Sequence, residues 1–203
     1  MITKQLIVYL LACMGLLACS ASSVTIEGKD GINRQKEYYL YGCQAGSLIP
    51  IASALIDSNG CFRLNVPLPQ EGFYLLGTER GVMHPFYLKG NETIRLRFQT
   101  NGMILEGEQT PENQALSQWE QAATLVREHA FLYERFGGGY STDPATFTQE
   151  LEDLLRVRQQ LKPEKATGNA TFNSLLKAKM EADVDFYALA YLQRNAGNLS
   201  DTI

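Results

Sequence analysis

The side chains of this 203-residue chain best suited to nucleophilic, redox or metal chemistry are four cysteines and two histidines. Cys13 and Cys19 lie within or at the end of an N-terminal apolar run, while Cys43 and Cys61 stand in the body of the chain. These last two are not a C-x-x-C pair, the spacing that holds a low-pKa attacking thiol beside its resolving partner, so redox catalysis is not expected. In an oxidising compartment they could close a structural disulfide or remain as unpaired strand cysteines, and their spacing leaves both open. His84 and His129 are isolated in sequence. Neither has the neighbouring Ser, Cys or Asp signature of a catalytic triad, and four zinc ligands cannot be assembled around them. The triplet Gly137, Gly138, Gly139 is not followed by Gly-Lys-Ser or Gly-Lys-Thr, and no strand leads into it, so it is not read as a phosphate loop. No catalytic residue, metal or cofactor is assigned.

Cys19 is the exception, because its surroundings define a covalent modification. Lys4 supplies a positive n-region, and the apolar run from Leu6 to Ala18 ends in small residues, which is the layout of a secretory signal over residues 1 to 18. A spanning helix needs roughly 20 apolar residues, and this shorter run passes at once into Ser20, Ala21, Ser22 and Ser23. The stretch Leu16, Leu17, Ala18, Cys19 resembles the bacterial lipobox, in which the thiol becomes a diacylglyceryl thioether and the chain is cut before the cysteine. The resemblance implies that Cys19 carries lipid, that residues 19 to 23 form a tether, and that the membrane is a partner through the anchor alone. Several acyl chains, at about 0.8 kcal/mol per buried CH₂, make such attachment effectively permanent. Ser20, rather than an aspartate, follows the cysteine, and no acidic run comes after it. The expectation is an exported lipoprotein of the outer membrane, facing the periplasm.

Without residues 1 to 18, 185 residues remain, enough for one sizeable domain or two small ones. They carry 17 basic against 22 acidic side chains, a formal charge of −5, which argues against a nucleic-acid partner and against electrostatic adhesion to anionic lipid.

Two hydrophobic periods divide the chain near residue 108. From Val24 to about Glu106, eight short segments read as strands: Val24 to Gly28, Glu37 to Cys43, Ile51 to Ile56, Cys61 to Val66, Gly72 to Thr78, Met83 to Leu88, Thr93 to Phe98 and Met103 to Leu105. Asp57, Ser58, Asn59, Gly60 is the clearest hairpin, expected to form a type I′ turn, with Phe62 pointing inward and Cys61 outward. Lys89 to Glu92 forms a second turn. Tyr39 and Tyr41 are expected on the face opposite Tyr38 and Leu40, packed across strands. Beyond Thr110, an N-cap followed by Pro111 and Glu112, the period becomes helical. Leu116, Trp119, Ala123, Val126, Ala130 and Tyr133 mark one face to about Phe136. A second helix begins at Thr142 or Asp143, buries Phe147, Leu151, Leu154 and Leu161, and stops at Pro163. A third runs from about Thr171 to Asn195 with Phe172, Leu175, Leu176, Met180, Val184, Tyr187 and Tyr191 on a broad apolar face. The fold expected is α+β: an antiparallel β-sandwich-like domain over 24 to 108, then a three-helix segment over 109 to 203.

The third helix also carries Phe186, Leu189 and Leu192 on its flank. One apolar face can pack on the other two helices, and the segment Ala196 to Ile203 is too short and too polar to cover a second. An exposed apolar strip at these three residues is therefore expected, serving a protein partner, a second copy or a further domain.

Taken together, the lipobox, "SALIDSNGCFRLNV", "FYLLG", "GMILEGEQTPENQAL" and the helical "FNSLLKAKMEADVDFYALAYL" resemble a specific arrangement. It is that of the N-terminal domain of unknown function in periplasmic lipoproteins that end in a thioredoxin-like disulfide reductase domain. In that family an Asp-x-x-Gly-x-Phe turn, here Asp57, Gly60 and Phe62, precedes a Gly-x-x-x-x-Asn pattern, here Gly107 to Asn113 with one extra residue. The resemblance implies a reductase domain with a C-x-x-C after the helices, which this sequence lacks up to Ile203. The function expected is a non-catalytic, membrane-anchored interaction or spacer module; the alternative is the front part of a thiol-disulfide oxidoreductase.

Overall fold

The computed structural model of the chain describes residues 22–31, 36–79, 83–99, 102–131 and 143–199. Cys19, the signal and most of its tether, Tyr133, Phe136, the Gly137 to Gly139 triplet and Thr142 lie outside the described residues.

Eight strands form two four-stranded sheets: β1 (Ser23–Asp30), β2 (Glu37–Gln44), β3 (Ser47–Leu55), β4 (Cys61–Pro67), β5 (Gly72–Gly77), β6 (His84–Leu88), β7 (Glu92–Gln99) and β8 (Gly102–Glu106). One sheet has the order β4-β1-β7-β8, the other β3-β2-β5-β6. Alternation along each strand decides what lies between them: Val24 and Ile26 of β1, Phe62, Leu64 and Val66 of β4, and Ile94, Leu96 and Phe98 of β7 are buried. From the other sheet come Tyr38, Leu40, Tyr74, Leu76, Phe86 and Leu88. The Tyr38 ring stacks on Phe62 and on Phe98, each with centroids 4.5 Å apart. Gly28 lies beneath Phe62, where a Cβ would come within 2.1 Å of Cζ, so only glycine leaves room for that ring.

Two expectations are corrected here. The sheets are not purely antiparallel, because β1 pairs with β7 in parallel. A parallel pair needs a long crossover, and the whole of the other sheet lies on the chain between the two strands. The Asp57–Gly60 turn does not join neighbours in one sheet either, since β3 and β4 belong to different sheets. Nor is it type I′: of its four residues only Gly60 has a positive φ, 78°. Asp57 explains why. Its Oδ1 accepts from the backbone N–H of Asn59 and of Cys61, both at 2.8 Å, and this Asx clasp turns the chain without a left-handed Asn59.

Three helices follow: α1 (Pro111–Phe131), α2 (Pro144–Leu161) and α3 (Ala170–Leu199), with a 3₁₀ turn at Pro163–Lys165. Thr110 Oγ1 accepts from Asn113 N–H at 3.2 Å, and Asp143 Oδ1 accepts from Ala145 and Thr146 N–H, so both helix starts are capped. Lys162 closes α2 with φ 46°, in the left-handed region, before Pro163.

The helices use the outer face of the second sheet. Tyr87 and Phe73, on the side of β6 and β5 opposite Phe86 and Tyr74, pack edge-on against Phe172 at 4.9 and 6.1 Å. Trp119, Leu116, Leu176 and Met180 complete that core. Asn113 ties the two layers together. β6 ends its sheet, and the Asn113 side chain takes the place of a further strand: Oδ1 accepts from Tyr87 N–H and Nδ2 donates to Tyr87 C=O, both at 2.9 Å. A buried strand edge is thereby satisfied.

Candidate functional site

The residues capable of chemistry are dispersed among structural tasks. Cys43, exposed near the end of β2, and Cys61, half-buried at the start of β4, are both free thiols. Cys61 Sγ lies 3.9 Å from the Asn59 carbonyl. His84 packs 5.4 Å from Phe98, ring to ring, and burial lowers its pKa to about 4, with the Arg127 charge adding to the effect and Glu120 opposing it. His129 Nδ1 lies 2.7 Å from Glu150 Oε2, an α1–α2 contact. Among the described residues there is no group of three His, Cys, Asp or Glu side chains placed to hold a metal.

The residues that carried the family resemblance prove to be architectural. Asp57 and Gly60 build the turn, Phe62 lies in the aromatic stack, Gly107 adopts φ 75°, and Asn113 seals β6. Each answers to backbone geometry or burial.

No protein-family model matches this chain, and no curated protein matches it in sequence.

An open groove of about 560 Å³ on the outer face of the first sheet is lined by Glu27, Lys29, Asp57, Cys61, Arg63 and Arg95, with Glu106 at one side. Three of its charges, Glu27, Arg63 and Arg95, are engaged with one another, and Glu106 is paired with a neighbour outside the groove. Glu27 holds Arg63 at 3.1 Å and Arg95 at 3.0 Å, and Glu106 holds Arg97 at 2.6 Å. Acids and bases alternate across the strands, leaving little net field for a ligand.

Strand β3 presents a second exposed surface. It ends its sheet, carries no charge between Ala45 and Ile56, and exposes Leu48, Ile49, Ile51 and Leu55. Pro50, which has no N–H to offer, and an irregular register at Leu40/Tyr41 interrupt its middle, the devices by which an edge is blunted against pairing. On β2, Tyr39 and Tyr41 are half-buried neighbours with ring centroids 6.0 Å apart.

The surface of α3 is different. Phe186, Leu189 and Leu192 are 58%, 56% and 51% exposed. Leu175 joins them at 38%, a correction to its expected place on the buried face: it falls on the outward side with the exposed Ala178 and Ala182, while Phe172, Leu176, Met180, Tyr187 and Tyr191 face inward. Phe186 also touches Phe131 of α1, centroids 5.2 Å apart, so the strip begins at the α1–α3 seam. The outward stripes of the other two helices are mainly polar, with Gln114, Gln118, Gln121 and Glu128 around a single exposed leucine, Leu125, on α1 and Gln149, Glu152, Asp153 and Arg156 on α2.

A partly buried ion network fixes α3 against α1. Glu120 accepts from Arg127 Nη1 at 2.8 Å and lies 2.9 Å from Lys179 Nζ. Lys179 Nζ and Trp119 Nε1 both donate to Asp183 Oδ2 at 2.7 Å. Burial alone would raise the Glu120 pKa, yet Lys179 and Arg127 hold it below the usual carboxylate range. The same burial would lower Lys179, but Glu120 and Asp183 keep it raised. These pairs fix the rotation of α3 and so decide which stripe faces outward. Sequence periodicity had marked Phe186, Leu189 and Leu192 but missed Ala178 and Ala182; the three-and-four spacing that links them to Leu175 was the available signal.

Proposed function

We propose that this chain is a membrane-anchored, non-catalytic interaction module: lipid on Cys19 holds it at the outer membrane on the periplasmic side, and the outward stripe of α3 docks another protein. The observation that carries the reading is the exposure of Phe186, Leu189 and Leu192 on a helix whose rotation is fixed by the partly buried contacts of Lys179 with Glu120 and of Asp183 with Trp119. Monomeric soluble proteins seldom expose large contiguous apolar patches, and a rigid one offers a partner a preformed seat.

The test uses the full chain in the cells that export it. Labelled fatty acid should enter the wild type and not Cys19→Ala. Gentle detergent extraction should give a complex larger than the monomer, reduced to the monomer by Leu189→Asp with Leu192→Asp. Labelling that survives Cys19→Ala would remove the anchor, and a complex indifferent to the double substitution would remove the docking site.

A further inference from the structure

The spacing of the α3 stripe identifies the shape of what covers it. Leu175, Ala178, Ala182, Asp185, Leu189 and Leu192, all exposed, follow at steps of three, four, three, four and three. This is the a and d periodicity by which one helix lies along another, and at 1.5 Å per residue it extends for about 26 Å. A strand, whose side chains repeat every two residues, cannot follow such a seam.

Charge then identifies the kind of helix. Asp185 lies within the seam and Glu181 on its border, both exposed, and neither forms an ion pair among the described residues. Lys177, the nearest exposed base, lies beyond Glu181 on the side away from the seam. A second copy fits badly. In parallel register Asp185 would face Asp185, and the antiparallel alignment that matches Leu175 with Leu192 sets two Asp185 side chains about a turn apart in one dry interface. Either leaves carboxylates buried without a cation, which is costly. An anionic lipid surface meets the same acids with the wrong sign.

Resting on the docking role of α3 argued above, we propose that the stripe from Leu175 to Leu192 seats a basic amphipathic helix of a partner protein. Leucine-like side chains of that helix fill the seam, and a lysine or arginine pairs with Asp185 and Glu181. The charge fixes register as well as partner choice.

The test takes the acylated full chain in zwitterionic lipid nanodiscs, with empty nanodiscs as the blank. The probes are two synthetic helical peptides of about four heptads with leucine at a and d. One carries lysine at the positions facing Asp185 and Glu181, the other glutamate. The lysine peptide should bind about tenfold tighter or more, and Asp185→Lys with Glu181→Lys should reverse the preference. Leu189→Ser with Leu192→Ser should abolish binding of both, with an unchanged melting temperature because these side chains are exposed. Equal affinity for the two peptides, or no response to the charge reversal, overturns the basic helix while loss on the serine substitutions leaves docking on α3 standing. Binding indifferent to Leu189 and Leu192 overturns both. A peptide-free dimer lost on the serine substitutions replaces the partner helix with a second copy, and attachment to anionic vesicles through the same leucines replaces it with a membrane.

Discussion

Between the two sheets the joining is done by rings, with Tyr38 of one sheet resting on both Phe62 and Phe98 of the other; between α1 and α3 it is done by Glu120, Arg127, Lys179, Asp183 and the Trp119 N–H. The difference shows where a function can reside. The hydrophobic effect is non-directional, whereas charge pairs partly removed from water fit in one register, and losing one partner strands the other. The sandwich therefore provides a stable body, and the helical layer provides an orientation. It is the oriented layer that carries the outward apolar stripe.

The largest effect should come from breaking the ring stack. Phe62→Ala is expected to cost about 3–5 kcal/mol in urea unfolding, because the cavity lies between two sheets that cannot close over it. A loss below about 1 kcal/mol would mean the stack is not what holds the sheets together.

Removing one charge from the helical network should cost about 3 kcal/mol, since Glu120→Ala leaves Arg127 and Lys179 partly buried without their acid. It should also loosen α3 without loosening the sandwich. Amide exchange should accelerate around Lys179 to Tyr187 and stay slow in β1 and β7; equal acceleration in both would contradict the separation of roles.

A smaller, pH-dependent effect belongs to His84, which stands against Phe98 and within reach of the Arg127 and Glu120 charges. Its folded pKa of about 4 lies below the unfolded 6.5, so the unfolded chain binds the proton first and stability falls as pH drops through that window. Between pH 7 and pH 5 the loss should be on the order of 2 kcal/mol, and His84→Phe should remove most of it. Glu120, with its pKa depressed, adds destabilisation of the same sign at lower pH. A melting temperature flat from pH 7 to pH 5 in the wild type would show that His84 is not held neutral by its burial.

The two layers also differ in how far they could be read from sequence. All eight strands lay within a few residues of their expected positions because a half-buried strand writes its period directly, as Phe62, Leu64 and Val66 do against Arg63 and Asn65. Sheet membership was not legible, since nothing local in Asp57 to Gly60 says whether the chain returns to its own sheet or crosses to the other. The helices were legible as elements through Pro111, Asp143 and Pro144. The rotation of α3 was not, because it depends on Lys179 and Asp183 meeting Glu120 and Trp119 from about 60 residues away. That is why Leu175 is expected inward: on a helix with apolar residues on more than one side, periodicity alone does not choose the buried one. Asn113 carries no visible sign in sequence that its amide will serve as a strand edge.

The most direct measurement is photo-crosslinking in the cells that export the protein, with a photoreactive side chain placed at Leu189 in one strain and at Gln121, on the polar stripe of α1, in another. The account predicts a protein adduct from position 189, mapping to a basic amphipathic helix of one partner, and none from position 121. No adduct at 189, an adduct with lipid alone, or equal adducts at both positions would contradict it.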